Sequence, residues 1–79
     1  MPTVLRVGPY RFYFYSNEGN EPPHIHVKVN RDIAKFWLSP IELSSNYGFR
    51  AHDLNKIEQI IGEHKIKLLE AWDEYLNRK

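Results

Sequence analysis

The chain's 79 residues, 42% of them apolar and 27% charged, can build one hydrophobic core and not two, so residues 1–79 are read as a single domain. Eleven Lys and Arg against ten Asp and Glu leave a formal charge of +1, too balanced for a bulk polyanion binder or a polybasic membrane anchor. Without a cysteine there is no disulfide framework, thiolate nucleophile, thiolate zinc site or iron–sulfur cluster. No apolar run approaches the roughly 18 residues of a membrane span, and the N-terminal stretch MPTVLRVGPYRF has no signal-peptide core, so a cytoplasmic protein without a membrane partner is expected. A domain of this size buries only roughly 60% of its unfolded surface, which makes a homo-oligomer or a partner a reasonable supplement to its stability.

Thr3 to Val7 is a short β-prone run stopped by Gly8-Pro9. The aromatic-rich segment Tyr10 to Tyr15 favours a second strand, with Tyr10, Phe12 and Phe14 on one face and Arg11, Tyr13 and Tyr15 on the other. Ser16 to Pro23, SNEGNEPP, reads as a polar connecting loop ending in extended geometry. His24 to Val29 alternates cleanly: Ile25, Val27 and Val29 face one way, His24, His26 and Lys28 the other.

Ile33 to Leu38 is the expected hairpin partner. Directly opposed residues share a face, so the loop must hold an even number of residues, either Arg31-Asp32 or Asn30 through Ile33. That register pairs Val29 with Ala34, Val27 with Phe36 and Ile25 with Leu38, and sets Lys28 opposite Lys35. Ser39-Pro40 ends the strand, and Ile41 to Leu43 forms at most a short extension before a loop from Ser44 to Phe49.

From Ala51 the period changes. Leu54, Ile57, Ile61, His64, Leu68, Trp72 and Tyr75 make the stripe of an amphipathic helix, with Asp53 suited to its positive end and Arg78 and Lys79 to its negative end. Arg50 is a poor N-cap. Gly62 leaves open one kinked helix or two helices meeting near Gly62 to Lys65. The expected fold is α+β: an antiparallel sheet of three to four strands with one face packed on the C-terminal helical segment.

The face away from the helices then collects Arg11, Tyr13, Tyr15, His24, His26, Lys28, Lys35 and Trp37. Aromatics beside cations suit stacking on bases and neutralising phosphates, and they equally suit a protein hot spot. The plainer reading is a solvated sheet face whose rings shelter under the SNEGNEPP loop. His24 and His26, two apart on one strand, place their imidazoles side by side. They suit metal-independent ribonuclease chemistry, with the histidines as acid and base, Arg11 or Lys28 stabilising the phosphate, and Glu18 or Glu21, which flank a Gly-Asn turn, orienting an imidazole. A metal site needs a further ligand from Glu18, Glu21, His52 or His64, none at a diagnostic spacing, so no metal or other cofactor is assigned. His64 on the apolar stripe reads as a hydrogen-bonded core histidine, and His52 as a solvated one. No phosphate cradle, serine triad order or helical paired-His motif is present.

The segments MPTVLRVGPYRFYFYSNEGNEPPHIHV, AKFW and LLEAWDEYL resemble the bacterial domain of unknown function family 4160 across essentially the whole chain, most specifically in YSNE and EPPHIHV. The family pattern falls on Arg11, Phe12, Tyr15, Ser16, Asn17, Glu18, Pro22 to Val27 and Lys35 to Trp37. The resemblance implies a small cytoplasmic protein encoded beside another short protein, an arrangement read as a toxin–antitoxin pair. The function expected is therefore a toxin–antitoxin-type component whose open sheet face binds RNA or a cognate small protein. The endoribonuclease is the first alternative and a histidine-based metal-binding domain the second.

Overall fold

A computed structural model describes residues 3–15 and 21–75. Five strands form one antiparallel sheet in chain order: β1 (Thr3–Val7), β2 (Tyr10–Tyr13), β3 (His24–Val29), β4 (Asp32–Leu38) and β5 (Ile41–Tyr47). Helices α1 (Ala51–Glu63) and α2 (Lys65–Tyr75) follow and pack on one face. The α+β class holds, with one strand more than the three to four expected.

Two-residue turns join three of the strand pairs. Gly8-Pro9 joins Val7 to its partner Tyr10, with Gly8 at φ 56°. Ser39-Pro40, linked by a cis peptide bond, joins the paired Leu38 and Ile41. Asn30-Arg31 joins Val29 to its partner Asp32. The expected parity of this last loop is right and its position is one residue late, because Asn30 takes the left-handed conformation at φ 55°, which Asn tolerates better than most residues. The shift changes the partners: Val27 meets Ala34, Ile25 meets Phe36, Lys28 meets Ile33, and Lys35 meets His26 rather than Lys28. The like-charged pair is thereby removed.

The fifth strand occupies most of what reads as a loop. Ser44, Ser45 and Asn46 have little strand preference, but an edge strand pairs on one side only and can turn such residues to solvent. A bulge accommodates the misfit: Lys35 pairs with Ser45 and Phe36 with Leu43, leaving Ser44 extra. At the end of β5, the Asn46 side-chain amide donates to the Phe49 carbonyl at 3.0 Å, and its Oδ1 accepts the Phe49 N–H at 3.1 Å. This clamp turns the chain so that Phe49 enters the core.

Gly48, at φ 101°, sits inside that turn, and a Cβ there would collide with the Asp32 carboxylate. Gly48→Ala is expected to cost about 2 kcal/mol, against about 1 kcal/mol for Gly8→Ala, where a left-handed residue meets open space. Urea denaturation of both variants checks the order; equal midpoints would remove the role given to Asp32.

The core joins Phe12, Phe14, Ile25, Val27, Phe36 and Leu38 of the β2–β4 region to Ile57, Ile61, Leu68 and Trp72 of the helices. The stripe read from the sequence is thus the packed one, except that Tyr75 is 53% exposed. The C-terminal segment is two helices. His64 breaks it at φ −118°, ψ 18°, and its backbone N–H lies 3.1 Å from both the Ile60 and Ile61 carbonyls. Its Nδ1–H also donates to the Ile60 carbonyl at 2.9 Å. His64 is therefore a half-buried cap of α1 rather than a core histidine. Arg50 makes no side-chain cap at the start of α1, and Asp53 lies in its first turn. Arg78 and Lys79 lie outside the described residues. Neither helix is long and apolar enough to cross a membrane.

Candidate functional site

Strand pairing arranges the face opposite the helices in transverse rows, because directly paired residues point the same way. In one row Tyr13 pairs with His26, His26 with Lys35, and Lys35 with Ser45. In the next, His24 pairs with Trp37, and Trp37 with Glu42. Arg11 and Lys28 are paired on the other side. The register therefore gathers the expected residues of β2, β3 and β4 into one constellation, and Tyr15 follows β2 into it. Glu18 lies outside the described residues.

The rings form a continuous ladder. Tyr13 stacks on His26 with centroids 5.4 Å apart, and Tyr15 meets the same imidazole edge-on at 4.6 Å. His26 meets His24 at 5.2 Å, and His24 touches Trp37 at 5.7 Å. Two cations close the outside. The Arg11 guanidinium lies 5.3 Å from the Tyr13 ring centre and donates through Nε to Thr3 Oγ1 at 2.8 Å. The Lys35 ammonium lies 4.6 Å from the Trp37 ring centre and donates to Glu21 Oε1 at 2.9 Å. Each cation–ring contact contributes about 0.5–1 kcal/mol at a part-exposed site and, more usefully, holds a long side chain in one place.

Depth within this face departs from a simple open surface. Tyr13 is 3% exposed, His26 7% and His24 not at all, whereas Tyr15 is 37% exposed. At His24, Trp72 adds to the cover of Trp37 and His26: it reaches from α2 to the start of β3, its ring 4.8 Å from His24 and 5.4 Å from Phe14. His24 thus belongs as much to the end of the core as to the outer face. Its Nδ1 lies 3.0 Å from the Pro22 carbonyl, and since a carbonyl only accepts, Nδ1 carries the proton. Glu21 Oε1 stands 3.8 Å from the same nitrogen, beyond hydrogen-bond distance, and accepts from Lys35 at 2.9 Å.

Glu21 takes the carboxylate position beside His24, and the EPPH spacing was the available signal, since two prolines hold the chain extended between carboxylate and imidazole. Trp72 had no such signal, because its stripe position marks only a packed residue. His52 is a surface residue on α1, its side chain 80% exposed and 3.3 Å from Asp53. His64 caps α1, so neither joins the His24–His26 pair. Among the described residues no group of three or more metal-ligating side chains gathers.

Fold and site together define a small α+β domain with a helical layer on one side of a five-stranded meander and a braced aromatic–cation face on the other. The chain belongs to a family described as a domain of unknown function, DUF4160, whose model matches residues 10–73. No curated protein and no solved structure matches it.

Proposed function

We propose that this chain is a non-catalytic binding module, the component of a cytoplasmic toxin–antitoxin-type pair that engages a small cognate protein through its outer sheet face. The observation that carries the reading is the bracing of the face: Tyr13 and Tyr15 pack on His26, His26 on His24 and His24 on Trp37, with Arg11 over Tyr13 and Lys35 over Trp37. Side chains already fixed lose little freedom on association, and Tyr, Trp and Arg are the types that anchor hot spots. RNA, the other partner such a face suggests, is less favoured because bases need open ring faces, while Tyr13 is 3% exposed and Trp37 lies under an ammonium. Acid–base cleavage by His24 and His26 is also disfavoured, since a general acid must touch the phosphodiester and His24 has no exposed surface.

Co-expression with a short protein encoded beside it, as the family resemblance implies, followed by titration of the purified pair, tests this reading. Trp37→Ala and Tyr15→Ala are each expected to weaken the complex by more than about 1 kcal/mol, at least fivefold in Kd. Unchanged affinity in both variants would take the interface elsewhere.

A further inference from the structure

One row of the outer face crosses the whole sheet. Arg6 of β1 pairs with Arg11 of β2, Arg11 with Lys28 of β3, Lys28 with Ile33 of β4, and Ile33 with Tyr47 of β5. Three cations therefore stand side by side on adjacent strands, followed by an apolar and an aromatic residue. Like charges directly opposite each other destabilise a sheet unless an anion lies between them. Among the described residues the ion pairs within 4.0 Å are Lys35–Glu21, His24–Glu21 and His52–Asp53, and none of them touches this row. Arg6 is exposed, Arg11 and Lys28 are half-buried, and Tyr47 is 73% exposed at the far end.

We infer that this row is the seat of an acidic amphipathic helix of the partner protein, laid across the strands. The inference rests on the protein-binding reading above and specifies the partner's chemistry. The spacing matches a helix laid across the strands. Neighbouring strands are about 4.8 Å apart, so the backbone positions of the three cations are spaced by about 4.8 Å, with the Arg11 guanidinium resting on Thr3 Oγ1 and the Tyr13 ring. Residues of one helical stripe at i, i+3 or i+4, and i+7 advance about 5.3 Å per step at 1.5 Å rise per residue. Carboxylates at those positions fall opposite Arg6, Arg11 and Lys28, and the next two stripe positions reach Ile33 and Tyr47 as apolar residues. An extended peptide running parallel to the strands would meet one cation of the row instead of three.

A second copy of this chain does not supply the helix. The exposed carboxylates Glu70 and Glu74 lie on α2, in the layer on the opposite side of the sheet. Seating them on the next molecule's row makes a head-to-tail contact rather than a two-fold pair.

An 18-residue peptide with Glu at i, i+3 and i+7 and Leu at i+11 and i+14 is the probe, with a sign-reversed peptide carrying Lys for Glu and a 12-nucleotide single-stranded RNA as comparisons. Amide shifts of the labelled full chain are followed through each titration. The Glu peptide is expected to move Arg6, Arg11, Lys28, Ile33 and Tyr47 and to bind at least tenfold more tightly than the Lys peptide. Arg11→Glu/Lys28→Glu should reverse that preference while keeping the dispersed spectrum of the fold. Absence of shifts in the row, equal response to both peptides, or tighter binding of the RNA would each overturn the inference. Such a result, with Trp37→Ala still weakening the cognate complex, would leave the binding reading standing and remove only the acidic helix.

Discussion

Trp72→Ala is expected to lower the unfolding free energy by about 3–5 kcal/mol, the range for emptying a buried large aromatic site. The indole is 3% exposed and meets Phe14 edge-on at 5.4 Å and His24 at 4.8 Å, so its removal opens the junction between the helical layer and the end of β3. Natural domains hold only about 5–15 kcal/mol in total, and one this small belongs near the low end, so the variant should be largely unfolded at moderate temperature. Trp72→Phe keeps a ring in the site and should recover more than half of the loss. Equilibrium urea unfolding followed by far-UV circular dichroism measures both. A Trp72→Ala midpoint within experimental error of wild type would show that α2 is not anchored through this ring.

The strands illustrate what alternation can and cannot convey. Phe12, Phe14, Ile25, Val27, Phe36 and Leu38 are core residues, and their parity alone predicted it, because side chains on a strand have a period of two. The β3–β4 loop was constrained to an even number of residues by the same parity, yet parity is unchanged by a two-residue slide, and only the left-handed Asn30 selects the observed register. β5 escaped because its polar residues carry no alternation, and the bulge at Ser44 breaks what pattern there is. Arg6 went unremarked for a related reason: β1 is short, and a register shift between Thr3 and Leu5 hides which of its residues share a face with Arg11. Helical periodicity located α1 and α2, while the break between them depends on the conformation and hydrogen bonds of His64.

The candidate site shows the same division between face and depth. Tyr13, His24, His26, Lys35 and Trp37 were expected on one face, and the pairing register brings them there. Alternation says nothing about what covers a face. Trp72, remote in sequence and placed by helix packing, lies against His24, and Glu21, ahead of β3, binds Lys35 of β4. A pair that reads as surface imidazoles at catalytic spacing is, in the folded chain, one enclosed ring and one nearly so.

That enclosure gives the second large effect. His24→Ala is expected to cost about 2–3 kcal/mol, combining the cavity left by a fully buried ring with loss of the bond to the Pro22 carbonyl. His24→Gln, whose amide can still donate to that carbonyl, should cost about half as much. The functional arm is induced expression of the wild type beside His24→Gln and His26→Ala, with growth and total RNA integrity followed in the same cultures. A binding module leaves RNA intact in all three. Growth arrest with RNA cleavage by the wild type, absent from both folded variants, would make the pair acid and base after all and require the start of β3 to open away from Trp72 before a phosphodiester could reach it. Because His24→Gln preserves the hydrogen bond that seats the ring, loss of cleavage in that variant would report chemistry rather than unfolding. Intact RNA beside the destabilisation of His24→Ala assigns the buried imidazole to holding Pro22 and β3 in place beneath the binding face.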